Sequence, residues 1–230
     1  MIIFEFSDKG PRSENQDSCY IKSAGQSVVA VVADGVGGNN GGAVASRMAI
    51  DVFIKGLDEG LTPSECLLAA HDEIVNQSSR DESLRGMATT LTAVICKDGA
   101  LEGVHCGDSR AYILRGNGVK QLTKDHTEVA RLLAEGLITK EAAINYPRKN
   151  ILDSALGTHK KLHYQEFGFE LEDGDRLILV TDGIYSEINK KELVDISKSK
   201  ADFVGFCELI VSRVAEVGPS DNYTLVGVEF

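Results

Sequence analysis

The apolar positions of this chain fall into short continuous runs and longer periodic ones. Val28 to Ala33 is an unbroken apolar, β-branched run, the pattern of a strand buried on both faces. Further strands are expected at Ile2–Ser7, Ser18–Lys22, Thr89–Cys96, Leu101–Cys106, Ala111–Arg115, Val119–Leu122, Tyr164–Glu170, Arg176–Thr181 and Tyr223–Phe230. Gly99 and the triplet Gly116-Asn117-Gly118 read as hairpin turns. The run ending at Asp34 is followed by Gly35-Val36-Gly37-Gly38-Asn39-Asn40-Gly41-Gly42, where neither helix nor strand is expected to survive.

Helical periodicity predicts a helix over Ala43–Leu57, with Val44, Met48, Ile50, Val52 and Ile54 as its apolar positions. A second follows Thr62-Pro63-Ser64-Glu65: Thr62 suits the N-cap, Pro63 the first turn, and Glu65 the capping box. Its apolar stripe includes Leu67, Leu68, Ala70 and Ile74. Lys124 to Gly157 reads as polar and mostly helical, with Asp125 as an N-cap, and two more helices are expected at Lys190–Ser197 and Ala201–Val217. Long helices thus come in pairs between runs of hairpin-linked strands. That order predicts an α+β fold: two antiparallel sheets packed as a sandwich, flanked by helices, rather than a doubly wound parallel sheet. No repeat, linker or low-complexity tract divides the chain, so residues 1–230 are expected to form a single domain.

Charge narrows the function. Against 24 Lys and Arg stand 35 Asp and Glu, a formal net charge of −11. There is no basic footprint for nucleic acid, and an anionic membrane would repel this surface. No apolar run reaches the roughly 18 residues of a membrane helix, and the acidic start is a poor secretory signal. Cys19, Cys66, Cys96, Cys106 and Cys207 are odd in number, widely spaced and without a CxxC pair. They read as small buried residues of a cytoplasmic protein, not as a disulfide framework or zinc site.

The acidity has candidate positions. Asp34 and Asp182 each end an apolar run and precede a glycine, and Asp221 directly precedes the terminal strand. Asp108 closes Val104-His105-Cys106-Gly107-Asp108, and Asp17 closes Arg12-Ser13-Glu14-Asn15-Gln16-Asp17. A single Asp-Gly is ordinarily a turn. Several carboxylates at buried strand ends are costly unless a cation or proton neutralises them. Without a matching His or Cys set, oxygen donors suit Mg²⁺ or Mn²⁺ better than zinc.

In order, Gly10 to Asp17, Ala33-Asp34-Gly35-Val36-Gly37-Gly38, Gly86-Met87-Ala88-Thr89-Thr90-Leu91, Gly107-Asp108-Ser109-Arg110, Leu122-Thr123-Lys124-Asp125-His126, Pro147-Arg148-Lys149-Asn150 with Ala155-Leu156-Gly157, Thr181-Asp182-Gly183 and Ser220-Asp221-Asn222 resemble the metal-dependent Ser/Thr phosphatases of the protein phosphatase 2C family. The similarity covers essentially the whole chain and is strongest to the compact bacterial members. It implies the sandwich already expected, and hydrolysis of phosphoserine and phosphothreonine in proteins by a metal-bridged water without a phosphoenzyme. It also implies two Mn²⁺ or Mg²⁺ ions: Asp34 bridging both, the Gly35 carbonyl on the second, Asp182 and Asp221 on the first, Asp17 in the second ion's shell. Many bacterial members bind a third ion through acids matching Asp108 and Asp182. Arg12 matches the phosphate-binding arginine, and the segment at about 124–157 a flap beside the cleft.

Phosphoproteins and an opposing Ser/Thr kinase are the implied partners, with a cytoplasmic monomer expected. Two departures stand out. Val36 occupies the place where some members carry a proposed general-acid histidine, and Gln16 replaces a glutamate of animal members. His105 and His126 lie near motifs and read as structural. The alternatives are a phosphoprotein-binding pseudophosphatase and a hydrolase of a small phosphate ester.

Overall fold

The computed structural model describes residues 1–36, 41–159 and 161–230; Gly37 and Gly38 of the glycine run lie outside them. In chain order the strands are β1 (Ile2–Asp8), β2 (Asp17–Ala24), β3 (Ser27–Val36), β4 (Ala88–Thr89), β5 (Leu91–Lys97), β6 (Ala100–Cys106), β7 (Arg110–Arg115), β8 (Gly118–Gln121), β9 (Gln165–Glu170), β10 (Arg176–Val180) and β11 (Tyr223–Glu229). The α-helices are α1 (Gly41–Asp58), α2 (Pro63–Arg80), α3 (Glu128–Ala134), α4 (Lys140–Ile144), α5 (Asp182–Tyr185), α6 (Lys190–Ser199) and α7 (Phe203–Val217).

The strands form two antiparallel sheets, ordered β1-β11-β10-β7-β8 and β2-β3-β5-β6-β9, with β4 paired to the end of β3. Alternation along each strand explains the continuous apolar runs. Val28, Ala30 and Val32 of β3 meet Leu177 and Leu179 of β10 and Val226 and Val228 of β11 between the sheets. Their neighbours Val31 and Ala33 face α1 and α2, and Ile178 and Val180 face α6 and α7. Each central strand is therefore covered on both sides, and the sandwich with outer helices stands as expected.

Local chemistry sets the helix starts. Thr62 and Glu65 form a reciprocal capping box ahead of α2, Asn189 and Glu192 another ahead of α6, and Asp202 caps α7. All five cysteines are free, and four are buried.

Several expectations are corrected. The strand does not stop at Asp34: β3 continues to Val36, where Gly35 and Val36 pair with Thr89 and Ala88. The glycines do not exclude helix either, since α1 begins at Gly41. Its buried face is Gly41, Gly42, Ala45, Ser46, Ala49, Ile50, Phe53 and Gly56; of the expected stripe, Ile50 alone is fully part of it. Close approach is the reason: a Cβ on Gly42 would lie 2.8 Å from the Gly35 carbonyl. Val44, Met48, Val52 and Ile54 pack along the flanks, half-buried. Leu68 is exposed on α2, because its neighbour Leu67 takes the inward position. The 124–157 segment holds only the short α3 and α4, capped by Thr127 and Thr139. Asp125 caps nothing; its carboxylate takes a fork of hydrogen bonds from Arg110 instead.

Candidate active site

At one end of the sandwich, strand termini from both sheets converge. Asp17 opens β2 directly across from Asp34 in β3. The backbone around Asp34 is fixed by Thr90, whose Oγ1 accepts from the Asp34 N–H at 2.9 Å and whose own N–H donates to the Asp34 carbonyl at 2.9 Å. Asp108 lies in the turn between β6 and β7, beside Ser109, whose hydroxyl meets that of Thr90 at 2.8 Å. Asp182 begins α5 immediately after β10, so it is a helix-start residue rather than a strand end. Asp221 precedes β11 and receives Arg12 Nη2 at 2.7 Å on Oδ2.

Arg12, Asp34, Gly35, Asp108, Asp182 and Asp221 all line one cleft of about 1240 Å³. Asp17, 6% exposed, lies just behind its wall. Every site residue expected from the sequence is therefore brought to this end. Glycine is needed next to two of the acids. A Cβ on Gly35 would lie 2.1 Å from the Gly42 carbonyl, and one on Gly183 2.1 Å from that of Asn222.

The electrostatics are those of acids crowded out of water. Burial raises Asp17 to about 7, against the hydroxyls of Thr224 and Thr181, which lower it. Burial likewise raises Asp108 to about 7 and Asp182 to about 6, with neighbouring aspartates adding to each. Asp34 is pushed well above the carboxylate range by burial and then by Asp17, Asp182, Asp108 and Asp221. Such a set holds its charge when a cation offsets it. The donors are carboxylate and carbonyl oxygens, which fits Mg²⁺ or Mn²⁺. Among the described residues no three Asp, Glu, His or Cys side chains already converge on one coordination point; the acids face one another around an open cleft.

The histidines are structural. His105 is fully buried, with Nδ1 2.8 Å from the Thr92 hydroxyl and Nε2 3.1 Å from the Lys124 carbonyl, and burial pushes it down to about 3. His126 accepts the Gly107 N–H on Nδ1 and donates its own N–H to the Gly107 carbonyl. Val36 lines the cleft, 44% exposed, and has no proton to give.

Sequence reasoning missed two features. Asn222 clamps the loop carrying Arg12: Oδ1 accepts from the Gln16 N–H, and Nδ2 donates to the Lys9 and Glu14 carbonyls. Thr181 and Thr224 both donate to Asp17. Asn150 to Asp153, with Ala155, line the cleft; they belong to the 124–157 segment expected beside it. Asn222 lies in the Ser220-Asp221-Asn222 motif, but nothing in one sequence shows which backbone groups a side chain will reach.

A family model described as Protein phosphatase 2C matches residues 11–223. The chain belongs to the protein phosphatase 2C family. The serine/threonine phosphatase stp of Listeria welshimeri is 35% identical over 96% of this chain and 89% of its own length. Protein phosphatase PhpP of Streptococcus pneumoniae is 34% identical over 93% and 91%. The crystal structure of the Mycobacterium tuberculosis serine/threonine phosphatase PstP/Ppp superposes with a TM-score of 0.89, at 30% identity, over 100% of this chain and 98% of that one. A structure of the PstP catalytic domain in complex with two manganese ions gives 0.84 at 30% identity, over 99% and 97%. The two solved structures share the fold across nearly the whole chain.

Proposed function

We propose that this phosphatase 2C chain hydrolyses phosphoserine and phosphothreonine in proteins, by direct attack of water and without a phosphoenzyme. The observation that carries this reading is the convergence of Asp17, Asp34, Asp108, Asp182 and Asp221 with Arg12 at one end of the sandwich. Asp34 and the Gly35 carbonyl, with Asp17, Asp182 and Asp221, would hold two divalent cations, Mn²⁺ or Mg²⁺, and Asp108 with Asp182 a third. Bound there, such cations acidify a water and offset charge on the phosphoryl oxygens.

The chain's own groups do the rest. Arg12 presents a planar fork for a phosphate dianion. In this structure it rests on Asp221 at 57% side-chain exposure, within reach of an entering phosphate. The cleft is open, with Val36, Ile151 and Leu152 among its lining residues, so it admits a phosphorylated side chain carried on a polypeptide. With Val36 unable to give a proton, the leaving alkoxide takes its own from water or another donor. No helix among the described residues is long and apolar enough to cross a membrane. The reading extends to residues 1–230 acting as one domain, a cytoplasmic monomer opposing a Ser/Thr kinase, with 124–157 as a flap over the cleft.

The test is phosphate release from a phosphothreonine peptide with EDTA, Mg²⁺ or Mn²⁺, for wild type and Asp34→Ala. Metal-dependent release lost in the variant supports the reading. Binding of the phosphopeptide without turnover would replace it by the binding module, and preferential turnover of a small ester by the other alternative.

A further inference from the structure

Both sheets contribute acids to the cleft end, and two hydrogen bonds to one of them cross between the sheets. Asp17 belongs to the six-stranded sheet. Its Oδ2 accepts from the Thr181 hydroxyl at 2.8 Å and from the Thr224 hydroxyl at 2.7 Å, and both threonines belong to the β10–β11 side of the five-stranded sheet. Both are fully buried.

The remaining bonds fix the direction of each proton. Thr181 Oγ1 spends its proton on Asp17 and accepts the Thr224 N–H at 3.0 Å. Thr224 Oγ1 likewise spends its proton on Asp17. The Ser7 hydroxyl, 2.8 Å away on the facing residue of β1, must therefore donate to Thr224. Ser7 in turn accepts from Asn15 Nδ2 at 2.8 Å. The chain runs one way, from the amide of Asn15 through Ser7 and Thr224 to the carboxylate. Asn15 and Ser7 flank the loop that holds Arg12.

We propose that Thr181 and Thr224 are positioning residues for Asp17: by occupying Oδ2 from the opposite sheet, they turn Oδ1 toward Asp34 and the cleft. The inference rests on the proposed place of Asp17 in the metal shell. It assigns the threonines a role that packing alone does not require, since valine has nearly the same shape. A carboxylate anchored through one oxygen has a single orientation to offer. Freed of both donors, it rotates and must be ordered again each time a cation binds. Groups that support a ligand in this way typically account for about 10–100-fold in metal affinity.

The experiment measures Mn²⁺ binding by calorimetry in wild type, Thr181→Val, Thr224→Val, Thr224→Ser and Asp17→Asn, alongside melting temperature in EDTA. Each valine variant is expected to weaken Mn²⁺ binding by about 10–100-fold, with Thr224→Ser close to wild type because serine keeps the donated proton. A purely structural role would lower the metal-free melting temperature and leave Mn²⁺ affinity unchanged, and that result overturns the proposal. If a valine variant fails to fold, the remaining valine variant and the double-mutant combination with Asp17→Asn decide: a positioning role predicts no further loss of affinity once Asp17 is gone. Unchanged affinity in Asp17→Asn itself would instead remove Asp17 from the metal shell. Lost affinity there, with both valine variants at wild-type affinity, would leave the site intact and sink the threonine role alone.

Discussion

Asp17 and Asp34 stand directly opposite each other across the antiparallel pairing of β2 and β3. Like charges at facing positions destabilise a sheet, and both acids are buried enough for desolvation to dominate their titration. A fold selected only for stability would not keep this pair. Asp34→Asn is therefore expected to raise the melting temperature in EDTA while removing metal-dependent phosphate release. One kcal/mol of relief corresponds to roughly 2–4 °C in a chain of this size. The loss of turnover should exceed the roughly 10–100-fold typical of residues that only support a ligand. A variant that melts lower than wild type in EDTA would show that the pair is not a source of strain.

The same crowding predicts how the metal-free protein responds to pH. Asp17 and Asp108 sit at about 7 and Asp182 at about 6, all above the ordinary carboxylate value. A raised folded-state pKa gives stability that is whole below the unfolded value, about 4, and is lost as pH rises through the folded value. His105, held down at about 3, works the other way, because its unfolded form takes up a proton below about 6.5. The carboxyls outnumber it, so stability in EDTA should fall between pH 6 and pH 8, by roughly 1 kcal/mol for each carboxyl with a value near 7. Saturating Mn²⁺ should abolish the decline, since the ionised acids are then the bound form. Melting curves in EDTA that are flat or rising across that window would contradict it.

Asn222 links substrate binding to the fold. It is 5% exposed, and its three hydrogen bonds all go to the backbone of residues 9–16, the loop that presents Arg12. Asn222→Ala leaves those backbone groups unpaired, at a cost of about 1–3 kcal/mol. It also frees Arg12 from its setting. The KM for a phosphopeptide should rise about tenfold, as expected when a binding group is displaced rather than removed, and Asn222→Ala should add little on top of Arg12→Ala because the two act through one contact. Additive losses in the double variant would separate Asn222 from phosphate binding.

How much of this could be read from the chain depends on the range of the forces involved. Val28–Ala33 and Arg176–Thr181 announced buried strands because a continuous apolar run is a local signal. Thr62 and Glu65 announced a helix start for the same reason. The acids were found because each sits beside a glycine or a strand end, a signal three residues long. What stayed hidden was decided across long sequence separations. Small residues on α1 became the buried face only because Gly35 and Gln16 press against it. Asp125 became the partner of Arg110, not a cap, because β7 passes beside it. The hydroxyls that hold Asp17 are 164 and 207 residues away.

The glycines after Asp34 and Asp182 carry the final prediction. Neither has a left-handed backbone, so conformational freedom is not why they are glycine. Space is the reason. A Cβ at Gly183 would meet the Asn222 carbonyl oxygen at 2.1 Å, and that backbone is itself fixed in β11's approach to the cleft. One at Gly35 would meet two carbonyls, Gly42 at 2.1 Å and Gln16 at 2.6 Å. In neither case is the obstacle a flexible side chain, so backbone segments of neighbouring elements must part. Gly183→Ala and Gly35→Ala are each expected to cost about 3 kcal/mol or more, the range of severe overpacking, and to lower the melting temperature by roughly 6–12 °C. Gly118→Ala is the control: its backbone is not left-handed, its nearest neighbour is the Arg115 carbonyl at 3.5 Å, and it should be close to neutral. Thermal melts of the three variants decide the point. If Gly183→Ala melts with Gly118→Ala, the start of α5 is looser than the structure requires, and Asp182 is not held by close approach.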